Sequence, residues 1–299
     1  MENELIEPVN YYIEMKGKNI RKIIFNIFAM YLGIDPKDVE FLEEFINVIH
    51  QSSLVIDDIE DDSFLRRNNE CAHIKYGLPL SINAAYLSIF KQIDKFNKRD
   101  DISQPTKDKV VERIYYAHIG QGMDIYYAKN KFIPTVDDYC KMIEYKTGFM
   151  FYMILDLLME KTKNVILKQK YNELLLSLYF FSLFFQIRDD YINLTDPTYW
   201  KEKGFCQDFD EQKISYLVTY CTNFKLDNYT LINSLMTKIN KTDEDKMEIL
   251  KLMKNNGLLD IVYNKLLELK QNVLNIINLD VIFQQLPFHQ FDTIFNTSI

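Results

Sequence analysis

Residues 174–193 read LLLSLYFFSLFFQIRDDYIN, an apolar run that ends in two adjacent aspartates, Asp189 and Asp190. The apolar part is shorter than the roughly 20 residues that a membrane-spanning helix needs. It is also longer than an ordinary strand, and nothing in it alternates between polar and apolar residues. The sequence therefore predicts a helix that is buried in a globular core and acidic at one end.

A second apolar run, residues 52–56 (SSLVI), ends in the same way, in the cluster DDIED. Its first and last aspartates, Asp57 and Asp61, are four residues apart and therefore share one face of a helix. Asp189 and Asn193 repeat this spacing. We expect the acidic ends of these two helices to face each other across a helical bundle.

The composition favours helices throughout the chain. Only 8 Gly and 7 Pro occur in 299 residues, roughly 5% together against a usual total near 12%, so few tight turns are available. Apolar residues recur at helical spacing, and no linker rich in Gly, Ser or Pro divides the chain. We predict an all-α fold of ten or more helices in a single domain over residues 1–299. Gly120 and Gly122 lie inside one predicted helix, where glycine permits close helix packing.

Charge and cysteine content exclude some classes of protein. The net charge of −8 argues against a general nucleic-acid binder. The four cysteines show no CxxC pair and no metal-ligand spacing, which is typical of reduced thiols in the cytoplasm. The first eight residues are acidic and polar rather than signal-like. We therefore expect a cytoplasmic protein with no nucleic-acid partner and no transmembrane segment.

The two aspartate clusters indicate a metal. Carboxylates four residues apart repel each other unless a positive charge lies between them. Mg²⁺ meets this need, because it takes oxygen ligands and usually shares its coordination between carboxylates and substrate phosphates. One cluster alone is also compatible with a solvated helix end, but a second cluster after another buried helix favours a common site.

Basic residues near the clusters suggest that the ligand is a diphosphate. Arginine forks match diphosphate oxygens in two-pronged geometry, and lysine provides a mobile positive charge. Singly, each such residue is compatible with an ordinary surface charge. The set is Lys18, Arg21, Arg66, Arg67, Lys146, Lys203 and Lys213. His50 lies seven residues before Asp57, two turns away on the same helix face, where a substrate contact is favoured over a purely structural role.

These motifs carry a resemblance to a known family. GKNIR, HQSSLVIDDIEDDSFLRR, HIGQGMDIYY, YKTG, FFQIRDDYIN and KGFCQDFDEQKISY occur in the order and spacing of trans-prenyl diphosphate synthases. The chain most resembles eukaryotic geranylgeranyl diphosphate synthases, from about Leu5 to about Tyr220. The resemblance implies a single large helical bundle of the isoprenoid synthase type with a central active-site cavity. It also implies Mg²⁺-dependent condensation of isopentenyl diphosphate with an allylic diphosphate (dimethylallyl, geranyl or farnesyl).

The resemblance also implies a role for each matching residue. Isopentenyl diphosphate is expected to bind Lys18, Arg21, His50 and Arg67. Mg²⁺ is expected to bind Asp57, Asp61 and Asp189, with Asp58 and Asp190 supporting the acidic ends. The allylic diphosphate is expected to bind Arg66, Lys146, Lys203 and Lys213, with Thr147 and Gln186 beside its reacting end. Phe149 and Leu217 replace a glycine and a proline that the family often has, and neither change removes a charged ligand.

Product length is expected to depend on the residues just before the first cluster. Ser52 and Ser53 are small, whereas an aromatic residue at either position would stop chain growth early. By resemblance, the next layer comprises Ile89, Phe90 and His118. The family usually has an aromatic residue at position 89, so a product somewhat longer than twenty carbons is compatible with the sequence. Geranylgeranyl diphosphate is the product that the sequence favours.

Two other functions remain open at this point. A terpene synthase of the same fold would ionise the allylic diphosphate without adding an isopentenyl unit, so it would have no need of Lys18, Arg21, His50 and Arg67. A non-catalytic partner subunit would be expected to lack an aspartate from one cluster, and none is missing. By resemblance, we expect a homodimer or an assembly of dimers.

Overall fold

The protein is described here by a computed structural model that covers residues 1–15 and 20–278. Helices make up most of these residues, so the all-α prediction is confirmed. In chain order the helices are α1 (Glu2–Leu5), α2 (Glu7–Glu14), α3 (Ile20–Tyr31), α4 (Pro36–Glu60), α5 (Ala72–Lys75), α6 (Leu78–Asn97), α7 (Gln104–Asn130), α8 (Val136–Ile143), α9 (Phe149–Lys161), α10 (Val165–Gln169), α11 (Tyr171–Thr195), α12 (Pro197–Lys203), α13 (Gln207–Asp210), α14 (Tyr216–Asn223), α15 (Tyr229–Met236), α16 (Asp243–Asn255) and α17 (Leu258–Asn278). A π-helical turn, Glu144–Gly148, joins α8 to α9.

A small hairpin lies between α4 and α5. Strands β1 (Leu65–Arg66) and β2 (Asn69–Glu70) pair antiparallel, with Leu65 opposite Glu70. The two residues of the turn, Arg67 and Asn68, both have positive φ, at 52° and 62°, as a tight hairpin turn requires. Strands of two residues are too short to show alternation, so they could not be predicted from the sequence.

The chain groups into two compact units. The first comprises Met1–Tyr115 and Met150–Leu175, and the second comprises Tyr116–Phe149 and the chain from Leu176 onward. The expectation of a single domain over residues 1–299 stays a prediction, as does the expectation that the two acidic helix ends face each other.

In the first unit, α4 packs against α6. The rings of Phe45 and Phe96 stack with their centroids 4.8 Å apart, and Val55, Ala84 and Ala85 are fully buried. Burial of a large apolar side chain such as Phe45 stabilises a fold by roughly 1.5–3 kcal/mol. Helix α4 starts at an N-cap, where the Asp35 carboxylate accepts a hydrogen bond from the backbone of Lys37 at 2.9 Å. This packing fixes the far end of α4, where the first aspartate cluster lies.

In the second unit, the part of α11 that precedes the second aspartate cluster is deeply buried. Phe181, Phe184 and Ile187 are each at most 1% exposed, as the opening apolar run predicts. The first residue of α14 contacts the cluster, since the backbone N–H of Tyr216 donates to the Asp190 carboxylate at 2.8 Å. The apolar part of α11 therefore anchors the acidic residues that follow it.

Two expectations about the whole sequence can be compared with the structure. None of the helices in residues 1–15 and 20–278 is long and apolar enough to cross a membrane. All four cysteines are free thiols, and Cys71, Cys206 and Cys221 are buried, as expected for a reduced protein.

Candidate active site

The first aspartate cluster lies at the C-terminal end of α4. Asp61 caps the helix, and its backbone N–H donates to the carbonyl of Asp57 at 2.9 Å, so the two lie one turn apart as predicted. The side chain of Asp57 is 24% exposed, whereas Asp58 is 1% exposed. Neighbouring residues on a helix point about 100° apart, which explains why one carboxylate reaches the surface and the next is buried.

Asp58 is held by an arginine and a tyrosine. The Nε of Arg66 donates to both carboxylate oxygens of Asp58, at 3.0 and 2.9 Å, and its Nη2 lies 3.3 Å from an oxygen of Asp57. The hydroxyl of Tyr12, from α2, also donates to Asp58 and accepts from the backbone N–H of Ala72 at 3.2 Å. Burial opposes the charge of Arg66, yet its hydrogen bonds to Asp58 raise its pKa.

This arrangement makes Asp58 a support for the acidic helix end. The carboxylate is buried, paired and hydrogen-bonded, which is the condition under which a buried charge is tolerated. Arg66 is engaged with Asp58 and Asp57. Its predicted binding to the allylic diphosphate stays a prediction.

Positive charges crowd together near the first cluster. The Nη1 of Arg21 lies 3.0 Å from the Nε2 of His50, and burial together with the charge of Arg21 lowers the pKa of His50 well below its usual value. Burial and the charges of Arg67 and Arg66 lower the pKa of Arg21 to about 10. Burial and Arg66 also lower the pKa of Arg67, whose Nη1 donates to the carbonyl of Met15 at 3.0 Å.

Three of the four residues expected to bind isopentenyl diphosphate thus share one neighbourhood. The pKa values of Arg21, His50 and Arg67 are all lowered, which disfavours the charged form of each side chain. A bound anion favours the charged form and therefore acts in the opposite direction. Lys18, the fourth residue, lies outside the described residues.

The second cluster repeats the pattern of the first. Asp189 is half-buried and accepts a hydrogen bond from the hydroxyl of Tyr199 at 3.0 Å. Asp190 is buried and accepts from the Tyr139 hydroxyl at 2.5 Å, from the Tyr216 backbone N–H at 2.8 Å and from Gln186 Nε2 at 3.2 Å. Burial raises the pKa of Asp190 to about 6. One aspartate is therefore accessible, and the next is a buried anchor tied to a tyrosine.

Thr147 and Gln186, which were expected beside the reacting end of the substrate, contact each other. The Thr147 hydroxyl donates to Gln186 Oε1 at 3.0 Å, and Gln186 in turn donates to Asp190. Thr147 lies in the π-helical turn Glu144–Gly148. Such turns inside α-helices occur frequently at functional sites.

Lys146, in the same turn, forms an ion pair that was not anticipated. Its Nζ lies 2.6 Å from the Asp124 carboxylate on α7. Helix α7 approaches the turn closely because of Gly120, where a Cβ atom would lie 2.3 Å from the backbone nitrogen of Lys146. The predicted packing role is therefore confirmed for Gly120. It is wrong for Gly122, because no atom of the described residues, apart from those of its own turn of helix, lies within 4 Å of the position of a Cβ there.

The remaining lysines follow α11. The Nζ of Lys213 lies 2.7 Å from the Glu211 carboxylate. Lys203 is the last residue of α12, and its side chain lies outside what the structure describes. Between them is Asp208, whose backbone N–H donates to Asn193 Oδ1 at 3.4 Å. Burial raises the pKa of Asp208 to about 8, although Lys213 acts in the opposite direction.

The residues expected to set product length fall in different environments. Ser52 is fully buried and Ile89 is 6% exposed, whereas the Ser53 hydroxyl donates to the His50 carbonyl at 2.8 Å. Phe90 is 65% exposed, and His118 is exposed as well. Phe90 and His118 do not join the buried core in the way that Ser52 and Ile89 do, and the role of the set stays a prediction.

Sequence reasoning missed five residues that contact either the clusters or Lys146. Asp208 lies in the motif KGFCQDFDEQKISY and Asp124 lies in HIGQGMDIYY, so the motifs could have indicated a role for these two carboxylates. No sequence signal indicates Tyr12, Tyr139 and Tyr199, because 20 tyrosines occur in the chain and the spacing of these three does not mark them as partners of an aspartate.

The donor set fits magnesium. Among the described residues, no three His, Cys, Asp or Glu side chains lie close enough together to hold a metal by themselves. Mg²⁺ is usually bound by one or two carboxylates, with waters and substrate phosphates completing its coordination. Asp57 and Asp61 on α4, and Asp189 on α11, each carry carboxylate oxygens of this kind, and their binding of Mg²⁺ stays a prediction.

Comparison with known proteins identifies the family to which the chain belongs. The polyprenyl synthetase family profile matches residues 2–253. A geranylgeranyl pyrophosphate synthase of Dictyostelium discoideum is 34% identical over 275 residues, which cover 92% of this chain and 88% of the relative. Geranylgeranyl pyrophosphate synthase 2 of Gibberella fujikuroi is 32% identical over 257 residues, which cover 85% of this chain and 64% of the relative. A sesterterpene synthase of Neocamarosporium betae is 29% identical over 272 residues, which cover 89% of this chain and only 37% of the relative.

The all-α fold with aspartate clusters at the ends of two buried helices is that of a trans-prenyltransferase enzyme. More particularly, the chain belongs to the polyprenyl synthetase family.

Proposed function

We propose that this chain is a Mg²⁺-dependent geranylgeranyl diphosphate synthase, which condenses isopentenyl diphosphate with allylic diphosphates. The observation that carries the proposal is the neighbourhood of Arg21, His50 and Arg67 in the first unit. An enzyme that only ionises an allylic diphosphate has no need of these residues in addition to Arg66 and the lysines of the second unit. The names of two relatives, each a geranylgeranyl pyrophosphate synthase, support the same product.

In the first unit, the cationic side chains bind isopentenyl diphosphate. Arg21 and Arg67 donate to its phosphate oxygens, since guanidinium groups pair with phosphates through two parallel hydrogen bonds. His50 is neutral, because its pKa is strongly lowered, and its Nε2 orients Arg21 by accepting a hydrogen bond. Lys18 adds a fourth contact by resemblance.

In the second unit, Lys146, Lys203 and Lys213 hold the allylic diphosphate and stabilise the negative charge that grows on it as it leaves. By resemblance, the carboxylates that would bind Mg²⁺ are those of Asp57, Asp61 and Asp189. When bound, the metal neutralises charge on the departing diphosphate. The Thr147 hydroxyl and the Gln186 amide carry dipoles suited to a nearby carbocation, and their mutual hydrogen bond fixes their orientation.

The reaction exchanges one bond for another. The allylic C–O bond breaks and its electron pair leaves with the diphosphate. The double bond of isopentenyl diphosphate then attacks the allylic cation and forms a C–C bond. A proton lost to the departing diphosphate restores a double bond, which gives an allylic diphosphate five carbons longer. Water must be excluded during these steps, since it would convert the cation to an alcohol.

A terpene synthase is the second candidate, because the sesterterpene synthase relative matches 89% of this chain. Such an enzyme would release diphosphate from an allylic substrate alone and would yield a hydrocarbon. A non-catalytic partner subunit would release none. The two aspartate clusters, both complete, disfavour the partner subunit, and the Arg21, His50 and Arg67 neighbourhood disfavours the terpene synthase.

The test is release of inorganic diphosphate from farnesyl diphosphate in the presence of Mg²⁺, with and without isopentenyl diphosphate. A synthase releases diphosphate at a high rate only when both substrates are present, and chelation of Mg²⁺ abolishes the release. Equal release without isopentenyl diphosphate would identify a terpene synthase instead. No release under any combination, with dimethylallyl and geranyl diphosphate included, would exclude both enzymes.

We further propose a cytoplasmic location and a homodimer or an assembly of dimers. The reduced cysteines support the first point, and the resemblance supports the second. Sedimentation of the purified chain at several concentrations tests the dimer, and a monomer at all of them would refute it.

A further inference from the structure

A buried lysine lies beyond the part of the chain that carries the family motifs. Lys246, on α16, is 6% exposed. Burial of an ammonium group is costly unless the group is paired and hydrogen-bonded. Its Nζ donates to the carbonyl of Phe205 at 2.9 Å and to the carboxylate of Asp210 at 2.5 Å.

Both of these partners belong to one irregular segment, residues 204–213. Its backbone adopts positive φ at Gly204 (106°), Cys206 (47°) and Gln212 (54°). A residue other than glycine in this conformation costs roughly 1 kcal/mol or more. Helix α13, of four residues, is the regular structure within it. The segment therefore depends on contacts from outside for its shape.

The contacts from outside come from the start of α16 and the loop before it. In addition to Lys246, the Nζ of Lys241 donates to the carbonyl of Phe209 at 2.7 Å. Two lysines thus bind three acceptors on segment 204–213, namely two backbone carbonyls and one carboxylate. Hydrogen bonds from charged donors to a buried backbone are about twice as strong as neutral ones.

Segment 204–213 is also joined to the second aspartate cluster. The backbone N–H of Asp208 donates to Asn193 Oδ1 at 3.4 Å, and the backbone N–H of Lys213 donates to the Asp208 carbonyl at 3.0 Å. Lys213 is one of the residues that the proposed function assigns to the allylic diphosphate. A displacement of the segment would therefore move a substrate-binding lysine relative to the cluster.

We propose that Lys246 is a positioning residue for the allylic diphosphate, acting through segment 204–213. This inference rests on the proposed function, since it assumes that Lys213 binds that substrate. Lys246 touches no substrate itself. It fixes the segment by binding Phe205 and Asp210, and Lys241 assists by binding Phe209.

The kinetic test compares Lys246→Met with Lys251→Met, which replaces an exposed lysine on the same helix. In Lys246→Met we expect the KM for the allylic diphosphate to rise by ~10-fold or more, since loss of a buried charged hydrogen bond is of that size. The KM for isopentenyl diphosphate should change by less than ~2-fold, within the usual effect of a distant substitution. Lys246→Arg, which keeps the charge, should recover most of the loss. Lys251→Met should behave as the unaltered enzyme.

A second variant covers the case in which Lys246→Met fails to fold. Asp210 is 36% exposed, so Asp210→Asn changes a partly exposed side chain, and it removes the ion pair while keeping an amide oxygen that can accept a hydrogen bond from the buried Lys246. It should raise the KM for the allylic diphosphate in the same selective way, by a smaller factor. A rise of both KM values by equal factors, or a lower melting temperature with both KM values unchanged, would overturn the proposal.

Amide hydrogen exchange tests the inference without relying on turnover. In the substrate-free protein, amides of residues 204–213 should exchange at least ~10-fold faster in Lys246→Met and in Asp210→Asn than in Lys251→Met. Unchanged exchange there would show that Lys246 does not hold the segment. If exchange changes but the unaltered enzyme forms no product, the proposed function fails while the contact between Lys246 and the segment stands.

Discussion

Within each acidic cluster, one aspartate is partly exposed and its neighbour is buried against a tyrosine. Asp57 and Asp189 are the accessible members. Asp58 pairs with Arg66 and Tyr12, and Asp190 pairs with Tyr139. The DD motif therefore combines one partly exposed carboxylate with one that secures the helix end, because adjacent helix positions point in different directions.

The two members of the first cluster should respond differently to substitution. Asp57→Asn should lower kcat by ~100-fold or more, as expected for loss of a group that stabilises charge in the transition state, with little change in melting temperature. Asp58→Asn should lower the free energy of unfolding by about 3 kcal/mol, because it leaves the charge of Arg66 poorly compensated. Steady-state kinetics and urea unfolding measure the two effects. If Asp57→Asn instead unfolded the protein and Asp58→Asn left its stability intact, the assignment would be reversed.

A substitution of Tyr12 tests the contacts of Asp58 without changing any charged residue. Tyr12→Phe removes only the hydroxyl that donates to Asp58 and accepts from Ala72, so the free energy of unfolding should fall by about 1–3 kcal/mol, as for a buried group left without its partner. Tyr11→Phe is the matched control, because its hydroxyl bonds to the exposed carbonyl of Glu70. Urea unfolding of both variants tests this, and equal stabilities would argue against a buried bond to Asp58.

His50 should make stability depend on pH. Its pKa in the folded protein lies well below 6.5, so below about pH 6.5 the unfolded chain binds a proton at His50 that the folded protein does not. The free energy of unfolding should therefore fall as the pH drops below 6.5, by up to ~1.4 kcal/mol per pH unit from this residue.

His50→Gln isolates this contribution, since glutamine keeps an acceptor for Arg21 and does not titrate. Urea unfolding at pH 7.5 and pH 5.5 should show a larger loss for the unaltered protein than for His50→Gln. An equal loss in both proteins would mean that His50 is already protonated in the fold.

At the scale of elements, the π-helical turn depends on one glycine of α7. Gly120→Ala would place a Cβ 2.3 Å from the backbone nitrogen of Lys146, so the turn or the helix must shift. We expect a loss of about 1–3 kcal/mol in the free energy of unfolding, as for other overpacked sites. We also expect a higher KM for the allylic diphosphate, because Lys146 lies in the turn.

Gly122→Ala is the control on the same helix. Outside its own turn of helix, no atom in the described part of the chain lies within 4 Å of its Cβ position. This substitution should therefore be neutral or stabilise by about 0.5–1 kcal/mol, the difference between glycine and alanine within a helix. Thermal unfolding of both variants distinguishes them. A Gly120→Ala protein as stable and active as Gly122→Ala would show that the turn tolerates displacement.

Elements could be predicted from the sequence where long apolar repeats define them. The helical repeats predicted α4 and α11 and the acidic end of each, because their burial leaves a clear pattern. The hairpin of β1 and β2 and the π-helical turn are too short to leave a period, so they escaped prediction. The contacts that α2 and α16 make with residues at or near the site also escaped prediction. Tyr12 and Lys246 lie 46 and 36 residues from their partners Asp58 and Asp210, and only the fold brings such distant residues together.

At the scale of the whole molecule, composition was sufficient to predict an all-α protein, and the ordered motifs were sufficient to predict its family. The specific ligands of Mg²⁺ and of each diphosphate remain predictions. Product length rests on Ser52 and Ile89, which are buried, on Ser53, which is half-buried, and on the names of relatives.

The central claim is that the chain adds isopentenyl units to an allylic diphosphate and stops at twenty carbons. Its most direct test is mass spectrometry of the product formed from farnesyl diphosphate, ¹³C-labelled isopentenyl diphosphate and Mg²⁺. We predict a twenty-carbon diphosphate that contains one labelled unit and is absent when Mg²⁺ is chelated. An unlabelled hydrocarbon, or farnesyl diphosphate recovered without any incorporation of label, would contradict it.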